Sequence, residues 1–401
     1  MFTFRFLPRQ TAAVPRIRRV ARFSLLFLLI GGSALRADAP AVPNPLTDPN
    51  QFPIAVWSQG PHQAERYKAI GVNLYVALWN GPTAEQLAAL KAAGMAVICD
   101  QNEVALTDPN RDIIVAWMHG DEPDNAQSLG EGKGYGPPIP PEEIIAGYEK
   151  IKARESTRPV LLNLSQGVAW DGWYGRGTRT NHPEDYPEYV KGADIVSFDI
   201  YPVTHDRPEL AGKLELVPFG LDRLKTWAGR NQDLWTCIEC TRISNPDVKP
   251  TPAQVRSMVW MALIHGAKGL IYFCHQFQPN FIEAALLADP EMAKGVGAIN
   301  HRIQALAPVL KSPDVPAAAK VSVSNPEVPV DILVKKFGGD LYVFAANMRD
   351  QPNSATFEIP ERARGKGEVL DESREIKLEG HRFTDAFEPY GVHLYRISLA
   401  E

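Results

Sequence analysis

The sequence predicts an α/β chain: a (β/α)8 TIM barrel followed by a small all-β sandwich domain. Three observations lead there. Between residues 52 and 310, eight apolar, β-rich runs alternate with helical patterns. The runs are apolar almost throughout instead of alternating, as strands buried on both faces of a parallel sheet must be. After Lys311-Ser-Pro313 the pattern changes to short alternating segments separated by turn signals, which reads as an antiparallel sandwich.

The elements follow in order. Phe52–Trp57 is the first strand, with a short helix through Gln63–Ile70. Leu74–Trp79 is the second, with a helix over Thr83–Ala93 that carries Leu87 and Leu90 at helical spacing and stops at Gly94. Ala96–Cys99 and Ile113–Trp117 are the third and fourth strands, and Pro141–Arg154 is a helix with Ile144, Ile145, Tyr148 and Ile151 on one side. Glu142 and Glu143 suit its N-terminus, where the helix dipole favours negative charge. Val160–Asn163, Asp194–Ile200, Leu234–Ile238 and Leu270–Cys274 complete the set, with helices over Phe219–Ala228, Thr251–His265 and Pro290–Leu310. Eight units in about 260 residues match the usual length of such a barrel, about 250. A doubly wound open sheet is the alternative, but no glycine-rich GxGxxG loop follows the first strand. In the sandwich, strands are expected at Val321–Val323, Val330–Val334, Leu341–Ala345, Ala355–Ile359, Glu375–Leu378 and Val392–Ile397.

The first 39 residues stand apart. A leader with six arginines precedes the apolar run Phe23–Ile30 and the small residues Gly31–Ala34, the order of a secretory signal peptide. The apolar run is too short to span a bilayer, which takes about 20 residues. A transit peptide is the alternative, since no acid occurs before Asp38. The expected organisation is therefore a signal peptide over 1–39, a barrel over 40–311 and a sandwich over 312–401. The mature protein would be exported, to the periplasm or beyond the cell, with no membrane span. A net charge of -5 argues against a nucleic-acid partner, which needs a basic face. Oligomeric state is not legible. Of four cysteines, Cys237 and Cys240 have CxxC spacing, but on a strand they point to opposite faces, which disfavours a metal or redox site. Pairing with Cys99 or Cys274 stays open.

A barrel of this kind places its chemistry at the C-terminal ends of its strands. Reading those ends in order gives Trp57 with Ser58 and Gln59, Trp79 and Asn80, Asp100, then His119, Asp121 and Glu122. The later strands give Asn163 with the aromatic loop Trp170–Tyr174, Asp199 and Tyr201, Glu239, and His275. Indole and phenol rings among carboxylates and amides suit a sugar, whose ring faces stack and whose hydroxyls need acceptors and donors. Cleaving a glycosidic bond takes one acid and one carboxylate opposite it, and Glu122 and Glu239 form the natural pair. Glu122 as a plain loop carboxylate, and Glu239 as half of a buried ion pair with Arg242, are the structural alternatives.

These residues bring a family into view. The chain resembles retaining glycoside hydrolases of the large (β/α)8 superfamily called clan A, including galactosidase-like and uncharacterised members with a C-terminal β-sandwich. The likeness rests on Gly120-Asp-Glu-Pro123, Ala193-Asp-Ile-Val-Ser-Phe-Asp-Ile-Tyr-Pro202, Val259–Phe273 and Phe387–Tyr395. It implies Glu122 as acid/base and Glu239 as nucleophile, a carbohydrate substrate and no cofactor. Substrate contacts are expected from Trp57, Trp79, Asn80, Asp100, His119, Asp121, Asn163, Trp170, Trp173, Asp199, Tyr201 and His275. Tyr201 resembles the tyrosine that hydrogen-bonds the nucleophile. Three departures stand out: Asp121 where the superfamily usually has Asn, Cys274-His275 where a tryptophan is common, and no arginine at the end of the second strand. Adjacent Asp121 and Glu122 also resemble the pair of substrate-assisted hexosaminidases, a mechanism that leaves Glu239 idle. A non-catalytic carbohydrate-binding barrel is a further alternative. So is a metal-dependent lyase or isomerase with Asp100, His119, Asp121 and Asp199 as ligands.

Overall fold

A computed structural model describes residues 41–361 and 363–400. The segment expected to be a signal peptide lies outside the described residues. Among those described, no helix is long and apolar enough to cross a membrane.

Eight parallel strands close into a barrel in sequential order: β1 (Ile54–Trp57), β2 (Leu74–Val76), β3 (Ala96–Cys99), β4 (Ile114–Asp121), β5 (Val160–Leu164), β6 (Ile195–Phe198), β7 (Asp233–Glu239) and β8 (Gly269–Phe273), with β8 pairing back to β1. The main helices are α1 (Ala64–Ala69), α2 (Ala84–Ala93), α3 (Glu103–Thr107), α4 (Pro141–Arg154), α5 (Tyr186–Tyr189), α6 (Leu216–Trp227), α7 (Pro252–Ile264), α8 (Ala285–Ala288) and α9 (Pro290–Ala305). Local chemistry sets their ends. Thr83 with Gln86, and Thr251 with Gln254, form reciprocal capping boxes at the starts of α2 and α7. Gly94 ends α2 in the left-handed conformation at φ 68°, where a glycine carries no Cβ penalty. The helix expected from Phe219 starts at Leu216 instead, because Pro218 falls in its first turn, where no N–H is needed.

The period-two geometry of the strands sorts their side chains into two cores. Ala55, Val76, Ile98, Ala116, Leu161, Ile195, Trp235, Cys237 and Ile271 fill the interior of the barrel. Val56, Tyr75, Val97, Trp117, Leu162, Val196, Ile238 and Tyr272 face the helices. Cys237 therefore points in and Cys240 out, as the strand reading expects, and all four cysteines are free and buried.

The C-terminal region forms two antiparallel sheets. One has the order β10 (Val330–Phe337), β11 (Asp340–Asn347), β16 (Val392–Leu399), β13 (Ala363–Val369), β14 (Arg374–Lys377). The other runs β15 (Arg382–Phe387), β12 (Asn353–Glu358), β9 (Lys320–Val323). The strands β13 and β15 went unread in the sequence: β13 is Ala-Arg-Gly-Lys-Gly-Glu-Val, with two glycines and three charges and little β propensity. Its pairing with β14 and β16 supplies what propensity does not.

The helix α7 joins the two regions. Its second half, Met258–Ile264, is apolar on all sides, because one side meets the barrel and another meets β11. Trp260 lies 5.2 Å from the ring of Phe344, Arg256 donates to the carbonyl of Val392, and Ser257 donates to that of Tyr390. His265, just past α7, sits between Asp222 and Asp331 of β10.

Candidate active site

The strand β4 is the longest of the barrel strands and ends at Asp121. A β-bulge places three steps of β4, Met118 to Asp121, against two of β5, Leu161 to Asn163. Such a bulge re-aims the residues after it. Here it turns His119 outward: Nε2 lies 3.0 Å from the carbonyl of Ile144 in α4, and Nδ1 accepts from the Gly120 N–H. His119, expected to contact substrate, is placed as a neutral tether between bulge and helix. Beyond the bulge, Asp121 and Glu122 face the mouth. Glu122 has φ 42°, a left-handed backbone rare for a residue with a Cβ. Ser58, Ala77 and Asn80, at the ends of β1 and β2, share that conformation. Strained backbone collected at one rim points to a site under functional constraint.

The acids after β4 divide their work. Asp124 is fully buried and accepts from the Ser165 N–H (2.9 Å), the Ser165 hydroxyl (2.6 Å) and the Tyr186 hydroxyl (2.9 Å), pinning the β4 loop to the β5 loop. It was not read as a functional residue in the sequence; its partners lie about 40 and 60 positions away, beyond any local pattern. Asp121 accepts from Asn163 Nδ2 at 3.1 Å, and Asn163 Oδ1 in turn accepts from Ser197 at 2.7 Å. Glu122 Oε2 accepts from Asn125 Nδ2 at 2.7 Å.

Asp199, from the end of β6, joins this group. Its carboxylate lies beside Glu122 and the Tyr201 hydroxyl. Asp199 Oδ1 is buried without a hydrogen-bond partner. Tyr201 was expected beside Glu239; it faces Asp199 instead, its ring 5.2 Å from that of Phe273. Titration reflects the crowding. Burial, then the charges of Asp199 and Asp121, hold the Glu122 carboxyl well above the usual range. Burial raises Asp121 to about 7 against the opposing Asn163 hydrogen bond, although its carboxylate reaches solvent through the mouth. Asp199 is raised to about 6, chiefly by burial, with Glu122 and Tyr201 acting to lower it. All three neighbouring carboxyls are raised, and their crowding disfavours ionisation of the whole group together.

Glu239 ends β7 in a different setting. It is fully buried, and both oxygens are engaged: Oε1 by the Val203 N–H at 2.5 Å, Oε2 by the Thr204 N–H at 3.0 Å and the Thr204 hydroxyl at 2.9 Å. Burial raises its carboxyl to about 7 and those three hydrogen bonds oppose the rise. No ion pair with Arg242 forms; the donors come from the loop after β6.

Aromatic rings flank the group. Trp170, Trp173 and Tyr174 form one cluster with His205, with Arg207 over the Tyr174 ring. Trp173 was expected to face substrate, but it is 8% exposed and donates its indole N–H to Asn125 Oδ1 at 2.7 Å, so Tyr174, 42% exposed, is the open ring of this loop. Across the mouth, His275 stacks with Phe277 and Phe281. His275 itself is buried against Gln59, and burial lowers its pKa to about 4, so it is neutral and Phe281 is the exposed member. Trp79 and Asn80 stand exposed on the rim at β2, and Asp100 at β3. Trp57 belongs to the barrel interior, not the rim. Asp100 and His119 do not converge with Asp121 and Asp199: among the described residues no three His, Cys, Asp or Glu side chains are placed to hold a metal ion.

The sequence matches no protein-family model, and no curated protein is significantly similar to it. Solved structures do share the architecture. A maltotriose complex of AmyP superposes with a TM-score of 0.51 at 8% identity, covering 88% of this chain and 98% of that one. AmyB from Thermotoga neapolitana, a noncanonic maltogenic alpha-amylase, gives 0.51 at 10% identity over 88% and 99%. A protein from Bacteroides fragilis assigned as an alpha-galactosidase gives 0.50 at 10% identity over 88% and 80%. At these identities the likeness is one of fold: this chain is built like glycoside hydrolases with a closed eight-stranded barrel and a C-terminal all-β region.

Proposed function

We propose that the protein is a glycosidase, an O-glycosyl hydrolase in which Glu122 protonates the departing glycosidic oxygen. The observation that carries this is the Glu122–Asp121–Asp199 cluster at the barrel mouth. A general acid working near neutral pH must keep its proton there, and burial beside two other carboxylates does that for Glu122. The exposed rings of Trp79, Tyr174 and Phe281 give a sugar faces to stack on, and glycoside hydrolases share the fold.

The second carboxyl function is read best within the same cluster. A nucleophile needs an oxygen free to reach the anomeric carbon, and both Glu239 oxygens are occupied by the loop after β6. Asp199 Oδ1, by contrast, is buried and unpartnered, and a buried carboxylate oxygen calls for a donor. An acetamido N–H on the sugar would fill it. The acetamido oxygen then attacks the anomeric carbon as Glu122 gives its proton to the leaving oxygen. Glu122, now ionised, takes a proton from the water that opens the cyclic intermediate, and the product keeps its configuration. The two-glutamate mechanism, with Glu239 as nucleophile, is the second reading. What supports it is the position of Glu239 at the end of β7 and the donors that would steady it as an anion.

Hydrolysis of aryl N-acetylhexosaminides and of the matching unacetylated glycosides separates the two, with Glu239→Gln assayed alongside. Turnover confined to N-acetylated sugars and retained in Glu239→Gln is the expected result. Turnover of unacetylated sugars that Glu239→Gln abolishes would hand the nucleophile's role to Glu239. Neither activity on a broad panel would leave a carbohydrate-binding barrel.

A further inference from the structure

We infer that Asn125 and Trp173 are positioning residues for Glu122: they hold its Oε2 as an acceptor, so that the proton Glu122 delivers is carried on Oε1. The chain of bonds fixes its own direction. An indole N–H donates and cannot accept, so the Asn125 atom 2.7 Å from Trp173 Nε1 is the amide oxygen. The other end of that amide, Nδ2, then faces Glu122 Oε2 at 2.7 Å and can only donate. A protonated Oε2 would set hydrogen against hydrogen, so a neutral Glu122 carries its proton on Oε1, the oxygen turned away from Asn125.

The scaffold around this relay is specific. The Asn125 N–H donates to the Glu122 carbonyl, closing a tight turn that returns the Asn125 side chain to the Glu122 carboxyl. Gln127 Nε2 donates to the carbonyl of Asn125 at 2.7 Å and holds that turn. Trp173 is seated by Gly175: a Cβ there would lie 2.3 Å from the indole, so only glycine leaves room. The Ala126 N–H donates to the Gly175 carbonyl at 2.8 Å, linking the two loops at the same point. Because Trp173 also packs 4.6 Å from the exposed ring of Tyr174, a sugar that stacks on Tyr174 presses on the group that orients the acid.

The inference rests on Glu122 as the acid, but its test reads the carboxyl directly. Protein labelled with carboxyl-13C glutamate is titrated by NMR, and Glu122→Gln assigns the Glu122 signal. Removing a donor from the ionised form makes that form harder to reach. In Asn125→Ala the Glu122 midpoint should rise by about one pH unit. Asn125→Asp keeps the Trp173 contact and replaces the donor with a negative charge, so it should raise the midpoint further. Trp173→Phe keeps a ring and frees the amide to flip, and it should give a smaller rise. Near-ultraviolet circular dichroism verifies folding, and Trp173→Phe carries the test if a change at Asn125 prevents it. An unchanged Glu122 midpoint in folded Asn125→Ala, or in Trp173→Phe where Asn125 cannot be changed, overturns the inference. The expected order with no glycosidase activity would leave the relay standing and sink only the assignment of function.

Discussion

Glu122 and Glu239 both lie at the ends of barrel strands, Glu122 half-buried at the mouth and Glu239 fully buried, and both carboxyls are raised by loss of solvent, yet they sit in opposite electrostatic settings. Glu122 has one hydrogen-bond donor on one oxygen and anions for neighbours. Glu239 has donors on both oxygens, and its carboxyl is raised by burial while those donors oppose the rise. Desolvation thus acts on one group crowded by other carboxylates and on one that ties a loop in place. Burial marks both as unusual; only the partners tell which is poised to react.

The largest effect expected from this difference is on turnover. Glu122→Gln keeps the size of the side chain and removes the proton, and should lower kcat by roughly three orders of magnitude, about 4 kcal/mol of barrier. Glu239→Gln should leave kcat within about tenfold. It puts an NH2 group among the Val203 and Thr204 donors, so its cost should appear as a lower melting temperature. Steady-state kinetics and calorimetry on the same two proteins measure both halves. A thousandfold loss in Glu239→Gln at unchanged melting temperature would erase the distinction.

Asp124 sharpens the contrast, since it is an acid of the same loop with a purely architectural set of partners. Asp124→Ala leaves the Ser165 and Tyr186 donors buried and unanswered, and should cost about 2–4 kcal/mol of stability in denaturant unfolding. A change of no more than about 0.5 kcal/mol, the range of ordinary surface substitutions, would mean that the loop repacks without it.

How much of this was legible in the sequence depends on range. The barrel strands were legible because burial on both faces leaves long apolar runs, and Glu122 stood out as an acid at the end of one of them. The glycine-bearing β13 was not, because its neighbours in the sheet and not its own residues hold it extended. The placement of His119 was not legible for a related reason: the bulge in β4 depends on register with β5, and that register turns the ring toward α4. Trp173 looked like a sugar platform because aromatic rings stack on sugar faces; Gly175 gives it a buried seat instead. The partnership of Asn125 with Glu122 needs the left-handed backbone at Glu122, which no residue type announces.

The smallest effect expected separates the mouth from the junction between barrel and sandwich. His265 is raised to about 9 by its hydrogen bonds to Asp222 and Asp331, which overcome the opposing effect of burial. The sign is that of a base protonated more firmly when folded. Its contribution is fully present below its unfolded pKa, about 6.5, and is lost as pH rises through about 9. Both aspartates are partly exposed, so solvent screens the pairs and the effect on stability should be modest. The melting temperature of the intact protein should exceed that of His265→Asn at pH 6, and the gap should close by pH 10. Glu239→Gln should not alter that closure, because its partners lie in the loop after β6 and not at the junction. A gap that is the same at both pH values would show His265 acting through its shape alone, and the junction would then have no charge-dependent lock to contrast with the carboxyl cluster at the mouth.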